Sequence, residues 1–525
     1  MRISTAQYFE TSAASYTKNF SDTAKTQEQI TSGTRIQTAA DDPVGAAKLL
    51  QLQQQSSLLA QYSSNMTSVT NSLNQEEGVL DSITTALQRA QELTIQAGNG
   101  GLSDADRTSI ASEIGEIEKN VYGLLNTKDS NGNYMFSGSK STTPPYVQNS
   151  DGSYTYQGDQ TQLSLQVSDT LNLATNDTGY SVFEQAINTS RTQTTMSAPA
   201  VDDERVTVSD GRLNSLTSYN KTFTDGQPYT LEFTSSTQFK ITDATGNDVT
   251  SQTTNNGTFD PKADGGTTIS LRGVEFDIDV TFKDTDVAAD ADTNISGHVF
   301  TLTSKPDSVS ATRTAANTST AQITNGSVSN AAEYSAGFPG NGAVIKFTSA
   351  TEYSVYAQPY SESSKAIGTG TYSSADGTIT AAGVTFDVAG TPASGDQFAV
   401  NANSHKTQNV LDTLNQLKTA LLVPVDDAAS QLALKNAVDS ALGNLASASE
   451  RTDIVRGEIG ARLNSLDIQN EENTSLKLAN TSTQSAIADT DMASASIALA
   501  LQQTMLQASQ LAFAKISQLS LFNKI

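Results

Sequence analysis

Leu52-Gln-Gln-Gln-Ser-Ser-Leu-Leu59-Ala-Gln-Tyr62-Ser-Ser-Asn-Met66-Thr-Ser-Val69-Thr-Asn-Ser-Leu73-Asn-Gln-Glu-Glu-Gly-Val-Leu80-Asp-Ser-Ile83-Thr-Thr-Ala-Leu87-Gln-Arg-Ala90 is the stretch whose pattern decides the fold. Leu52, Leu59, Met66, Leu73, Leu80 and Leu87 follow one another every seven residues, with Tyr62, Val69, Ile83 and Ala90 at the companion position. That is the a/d seam of a helix packed along its whole length. The spacing predicts one helix from about Ala46 to Ala97, ~80 Å long at ~1.5 Å per residue, which needs partners throughout. Gly98, Gly100 and Gly101 end it. Ser103, with Asp106 three residues on, reads as the cap of a second helix carrying Ile110, Ile114, Ile117, Val121 and Leu124.

The far end of the chain answers this hairpin with Leu434, Val438, Ala441, Leu445, Ala448, Val455, Ile459 and Leu466 on alternating three- and four-residue steps. Gly457 and Gly460 interrupt that pattern and cost it ~1 kcal/mol each relative to Ala unless close packing demands them. Both extremities are amphipathic. Phe9, Tyr16, Thr23 and Ile30 recur at sevens, as do Met492, Leu499, Leu506 and Phe513, beside Ala498, Met505, Ala512 and Leu519. Ser32-Gly33 and Asp41-Asp42-Pro43 break the first pattern, and the polar stretch from Asn470 to Ser485 thins the last.

Between about Tyr134 and His405 the apolar period changes to two, bounded by Gly, Asn, Asp and Ser turns. This β region is internally duplicated. Leu231-Glu-Phe233-Thr-Ser-Ser-Thr-Gln-Phe239 returns as Ile345-Lys-Phe347-Thr-Ser-Ala-Thr-Glu-Tyr353. Gly273-Val-Glu-Phe276 returns as Gly383-Val-Thr-Phe386, and Gly297-His-Val-Phe300 as Gly395-Asp-Gln-Phe398. The expected fold class is therefore α+β and multidomain: a long α-helical coiled coil or bundle built from both termini, with an inserted, mainly-β outer region containing two homologous β units. The expected division is 1–44 plus 481–525 as a terminal coiled coil, 45–185 plus 406–480 as a helical rod with a β-hairpin region, and 186–405 as the outer region, with repeats at about 204–306 and 321–405.

Composition removes whole classes of function. Of 525 residues, 31 are Lys or Arg and 56 Asp or Glu, a balance of −25, and no basic run offers a surface for phosphates, so no nucleic acid is expected. There is no cysteine, and the two histidines, His298 and His405, stand far apart, so Cys-based zinc sites, thiol nucleophiles and His-rich metal clusters are excluded as readings. No stretch reaches the ~18 to 20 apolar residues of a membrane span, and Met1 to Phe20 lacks the order of a cleaved secretory signal. Gly132 to Ser141 imitates a phosphate-binding loop with the wrong spacing, and Asp284, Asp286, Asp290 and Asp292 read as a solvated loop before a cation site. No catalytic motif is present, so an enzyme is not expected, nor any metal or cofactor.

The ends resemble the flagellin superfamily. Met1-Arg-Ile-Ser-Thr5, Ile30-Thr-Ser-Gly-Thr-Arg-Ile-Gln-Thr-Ala-Ala-Asp-Asp-Pro43, Ile459-Gly-Ala-Arg-Leu-Asn464, Ala488-Asp-Thr-Asp-Met-Ala493 and Leu519-Ser-Leu-Phe522 carry the likeness. Pro43, the Ser-Leu-Phe ending, and the segment Asn131-Gly-Asn-Tyr-Met-Phe-Ser-Gly-Ser-Lys-Ser-Thr-Thr-Pro-Pro-Tyr146 followed by Tyr156-Gln-Gly-Asp159 are similar to the branch that joins hook to filament. The resemblance implies a structural protein of the flagellum, exported through the flagellar type III pathway. Its partners would be other copies of itself in a ring, a neighbouring hook-associated junction protein, flagellin, and a cytosolic chaperone on the C-terminal helix. It would lie at the hook–filament junction outside the cell, secreted without a cleaved signal peptide and without membrane insertion. Phe9, Tyr16, Ile30, Met492, Leu499, Met505, Leu506, Phe513 and Leu519 are the expected assembly residues. Two alternatives stay open: filament flagellin, and a surface adhesin or glycan-binding module, for which Tyr356 and Tyr360 would have to face solvent.

Overall fold

The computed structural model describes residues 2–149, 152–263, 265–314, 316–403 and 405–522. Helices occupy both ends and strands the middle, as the periodicities predict. The chain divides into two compact units, Met1–Asn74 with Leu163–Thr175 and Ile459–Ile525, and Gln75–Gln162 with Asn176–Glu458.

In the first unit α1 (Arg2–Ser32) and α11 (Met492–Phe522) run antiparallel, since Phe9 and Tyr16 both meet Phe513 and Asn19 donates to Ser509. The leading part of α2 (Pro43–Ala97) lies along the trailing part of α10 (Ala428–Ala488). Asp42 accepts the Gly45 amide at 2.9 Å, and Pro43 opens the helix where an amide would have no partner. Asp41 instead takes the Thr38 and Gln37 amides and the Lys25 ammonium at 2.6 Å, and that ion pair holds its carboxyl far below the usual range. The polar stretch after Asn470 remains helical through to Ala488. Asn473 and Asn480 are buried in it, and their side-chain amides donate to the carbonyls of Leu59 and Leu52 at 3.0 Å each. Two asparagines seven residues apart thus read two leucines seven residues apart, an arrangement that fixes register at some cost in stability. The hairpin β3 (Ser164–Gln166) and β4 (Asn172–Ala174) rests on α2 through Asn65 to Gln166 and Tyr62 to Asp169.

In the second unit the later heptads of α2 are fully buried: Leu80, Ile83, Leu87 and Ala90 expose nothing. Nearby, α3 (Asp104–Leu125) packs on α9 (Val410–Leu421), and α2 is tied to α3 by Arg89 to Glu113 and to the leading part of α10 by Arg456 to Glu77, both at 2.7 Å. Ser103 caps α3 in a reciprocal box with Asp106. Gly457 and Gly460 are not close-packing sites, because a Cβ at either would meet nothing within 4 Å. The glycine of α10 that packing does demand is Gly443, where a Cβ would collide with Thr189 Oγ1. A hairpin, β1 (Tyr146–Gln148) with β2 (Tyr154–Tyr156), and the short α4 (Gly179–Phe183) close this region.

The β insertion repeats the order of seven strands, with β7 peculiar to the first copy and β17 to the second. The first copy consists of β5 (Thr192–Ala198), β6 (Val206–Val208), β7 (Arg212–Leu213), β8 (Tyr229–Phe233), β9 (Phe239–Thr242), β10 (Thr267–Leu271), β11 (Val274–Val280) and β12 (Val299–Ser304), with short helices α5 (Leu216–Ser218), α6 (Thr224–Gly226) and α7 (Ala291–Ile295). Its sheets run β5-β12-β8-β9 and β10-β11-β6. The second copy consists of β13 (Ser308–Arg313), β14 (Gln322–Val328), β15 (Ala343–Phe347), β16 (Glu352–Ala357), β17 (Gly368–Thr371), β18 (Thr378–Ala381), β19 (Val384–Ala389) and β20 (Gln397–Asn403), with helix α8 (Ala331–Gly337). It contains the same two paths, β13-β20-β15-β16 and β18-β19-β14, joined into one eight-stranded sheet by Ser308 opposite Ser327 and extended by β17. Each copy therefore begins one strand earlier than the sequence repeat shows, at β5 and β13. Those strands have equivalent partners, β12 and β20, but little shared sequence.

The turns follow the duplication. Arg272-Gly273 and Ala382-Gly383 both have positive φ, which gives a hairpin matched to strand twist. Each glycine's carbonyl accepts two amides from the segment that opens the next helix, Asn214 and Ser215 in one copy, Ser329 and Asn330 in the other.

Candidate assembly surface

The expected assembly residues fall on the α1–α11 pair, and the structure separates them into two faces. Phe9, Tyr16, Ile30, Leu499, Leu506 and Phe513 are half-buried, and the aromatic members pack on one another, with ring centroids at 5.3 Å for Phe9–Phe513 and 6.1 Å for Tyr16–Phe513. These side chains form the seam between the two helices. The seam is not wholly apolar: Thr23 and Thr26 are buried in it, their hydroxyls returned to the carbonyls of Asn19 and Asp22. A two-helix contact of this kind buries little apolar area for its length and gives modest stability by itself.

Met505 points elsewhere and is 51 % exposed, while Met492, on the seam side as the first residue of α11, is 49 % exposed. With Met505 go Ile497, Leu501 and Leu511, exposed by 72 %, 56 % and 66 %. At ~100° per residue, Ile497, Leu501, Ala508 and Leu511 form a stripe roughly half a turn away from Leu499, Leu506 and Phe513, with Met505 between the two. So α11 has two apolar faces, one spent on α1 and one open. Ile497, Leu501 and Leu511 form a second series in the sequence at steps of four, seven and three with Ala508, weaker than the seven-residue repeat on the opposite face. Leu519 lies on α11, and its side chain is outside the described residues.

The loops beneath this pair are tied together. The Arg35 amide donates to the Ala488 carbonyl at 2.6 Å and the Thr490 amide to the Gly33 carbonyl at 2.9 Å, so the Ser-Gly break after α1 and the break before α11 bridge each other. Gly33 has a φ of +70°, which fits the turn that this bridge needs.

The other chemistry-bearing motifs are absorbed locally. The Gly138-Ser139 loop amide is taken by the Asp159 carboxylate at 2.9 Å, leaving it as an internal turn. Asp286 receives Arg205 at 2.8 Å and Asp292 receives the Ser236 amide, also at 2.8 Å. Among the described residues no three metal-type side chains converge. Tyr356 and Tyr360 are half-buried against each other at 4.9 Å. Tyr356 stands opposite Val344 in the β15–β16 ladder, and the Tyr360 hydroxyl accepts from Lys346, which is also paired with Glu362 at 3.0 Å. Among the described residues no helix is long and apolar enough to cross a membrane.

Residues 3–141 match the family described as bacterial flagellin N-terminal helical region. Flagellar hook-associated protein 3 of Salmonella typhimurium is 35 % identical over 183 residues, which are 35 % of this chain and 57 % of that protein. The flagellar filament 41 kDa core protein of Borreliella burgdorferi is 35 % identical over a shorter stretch, 119 residues, covering 23 % of this chain and 35 % of the relative. The chain thus spans somewhat over half the length of the hook-associated relative. A crystal structure of flagellar hook associated protein-3 from Legionella pneumophila aligns over 83 % of this chain and 98 % of its own, at 21 % identity and a TM-score of 0.45. The chain is flagellin-like at its N-terminal helices and is similar to hook-associated protein 3, in agreement with the resemblance drawn from its motifs.

Proposed function

We propose that this chain is a structural, non-catalytic component of the bacterial flagellum that forms a short ring between hook and filament. The observation that carries the reading is the likeness to flagellar hook-associated protein 3, which extends over 183 residues against 119 for the filament protein at the same identity. The open stripe on α11 supports it, because an apolar face on a helix pair of modest stability is suited to burial by other subunits. In this reading the partners are further copies of the chain, a hook-associated junction protein on one side and flagellin on the other. A cytosolic chaperone holds α11 until export through the flagellum's type III pathway, and the protein ends outside the cell at the junction. Phe9, Tyr16, Ile30, Leu499, Leu506 and Phe513 set the α1–α11 seam, while Met505, with Ile497, Leu501 and Leu511, faces neighbours; Met492 and Leu519 join the assembly set by their places in the sequence pattern.

The test is deletion of the gene, followed by electron microscopy of the cells and assay of flagellin in the medium. Hooks that persist without filaments, while flagellin monomers leak into the medium, support the junction role. Normal hooks with no flagellin secreted at all would show that this chain is itself the filament subunit. The match of residues 3–141 to the flagellin family keeps that second reading in play. Long filaments grown in vitro from the purified chain would favour it.

A further inference from the structure

The first β copy has a self-contained core. Its buried apolar cluster is drawn from Val206 to Leu302, with Met196 and Leu213 against it, and among the described residues none comes from α10. Yet this copy sits on α10, and the contacts that seat it are polar. The Lys435 ammonium donates to the Gly265 carbonyl at 2.8 Å and pairs with Asp277 at 3.2 Å. The Asn436 side-chain oxygen accepts the Asp210 amide at 3.0 Å. Two turns on, Asn444 accepts the Thr189 amide and hydroxyl at 2.7 and 3.0 Å, beside Gly443. Lys435, Asn436, Asp439, Gly443 and Asn444 lie on one side of α10 at helical spacing.

The chain enters and leaves the β region through a two-stranded neck, where Asn188 N donates to the Lys406 carbonyl and Gln408 N to the Ala186 carbonyl, both at 3.1 Å. Behind the neck is a polar cavity of about 320 Å³, bounded by Lys305, His405, Gln416, Asn436 and Ser440 among others. A module with its own core, a polar seat, a narrow neck and space behind it can lift without unfolding.

We propose that the Asp277–Lys435–Asp439 cluster is an electrostatic latch that holds the first β copy down on α10 and releases it when the negative charge on the cluster prevails. Asp439 stands one turn beyond Lys435, so one ammonium serves two carboxylates, with Arg212 the other cation facing Asp439 and itself shared with Glu275 at 3.3 Å. Burial pushes the Asp439 carboxyl above its ordinary range, the Asp277 charge adds to this, and Lys435 and Arg212 oppose it. The closed seat therefore binds a proton on Asp439 more tightly than an open one does. Acid closes the latch and alkali opens it, while salt weakens the Lys435–Asp277 pair.

Because the chain has no cysteine, nitroxide labels at Lys221→Cys and Glu450→Cys report the seat in the full-length protein by electron spin-echo distance measurement. In low salt a single distance is expected at about pH 4 and a second one should emerge at about pH 9, where ~0.5 M sodium chloride should enlarge it. Asp439→Asn should hold the first distance at both pH values in low salt, Lys435→Met should show the second at both, and Lys435→Arg should follow the wild type. Circular dichroism checks that each variant is folded. One unchanged distance in the wild type and in Lys435→Met under every condition overturns the latch, as does an Asp439→Asn variant that titrates like the wild type. The test is independent of the flagellar assignment.

Discussion

Glu184 offers the sharpest quantitative test of the fold. It closes α4, its side chain is largely buried, and among the described residues its Oε1 has no hydrogen-bond partner. Burial pushes its carboxyl up to about 7; the Tyr146 hydroxyl offsets part of this, and the Asp412 carboxylate adds to it. The folded state therefore binds a proton that the unfolded state has already released, and stability falls as pH rises from about 4.5 to about 7. At ~1.36 kcal/mol per pH unit the loss is about 3 kcal/mol, complete above neutrality. Glu184→Gln keeps the shape and removes the charge. Urea unfolding of both proteins from about pH 4.5 to 8.5 isolates the effect, because every other titrating group is common to the pair and cancels in the difference. The two stability curves should lie close together at the acid end and separate with rising pH until Glu184→Gln leads by roughly 2 to 3 kcal/mol. Parallel curves, or a lead that shrinks toward alkaline pH, would refute both the burial of this carboxylate and the sign of its linkage.

Four further outcomes follow from the packing. Ile497→Asp with Leu501→Asp should leave the monomer's melting temperature nearly unchanged, since both side chains are exposed, yet stop incorporation into the flagellum; normal incorporation would remove the open stripe of α11 from the assembly surface. Leu499→Asp with Leu506→Asp also stops incorporation, but it does so by breaking the α1–α11 seam, and circular dichroism should show the lost helix, so the two pairs of variants are distinguishable. Gly443→Val should lower stability by about 1 to 3 kcal/mol or more through collision with Thr189, and Leu80→Ala by about 2 to 5 kcal/mol through the cavity left in a fully buried seam; thermal unfolding measures both, and a neutral result at either position would contradict the helix packing described.

The long helices were legible because their signal is periodic and strong. A leucine or methionine every seventh residue from Leu52 to Leu87 admits one conformation, and Pro43, Asp42, Ser103 and the glycines after Ala97 mark its ends by local chemistry alone. The duplication was legible for a similar reason, since Phe233, Phe276 and Phe300 must be large and apolar in both copies to fill the same core positions. β5 and β13 escaped because a strand is defined by its partner: their ladders to β12 and β20 require an extended backbone, not a particular sequence. The polar run after Asn470 misled for the opposite reason, since an amide in a helix seam reads as solvated until the carbonyl that it reaches, on a helix more than 400 residues away in sequence, is in view.

Sequence by itself determined the helical ends, the β middle, its repetition, the absence of thiol chemistry, and a likeness to flagellar junction proteins, because each of these is written in local spacing or composition. Tertiary structure decided which apolar stripe of α11 is spent on α1 and which is open, that Gly443 and not Gly457 or Gly460 marks a close approach, and that a polar seat holds the first β copy on α10. Those are statements about pairs of residues far apart along the chain, and exposure, collision and shared charge exist only once both members of the pair have a place.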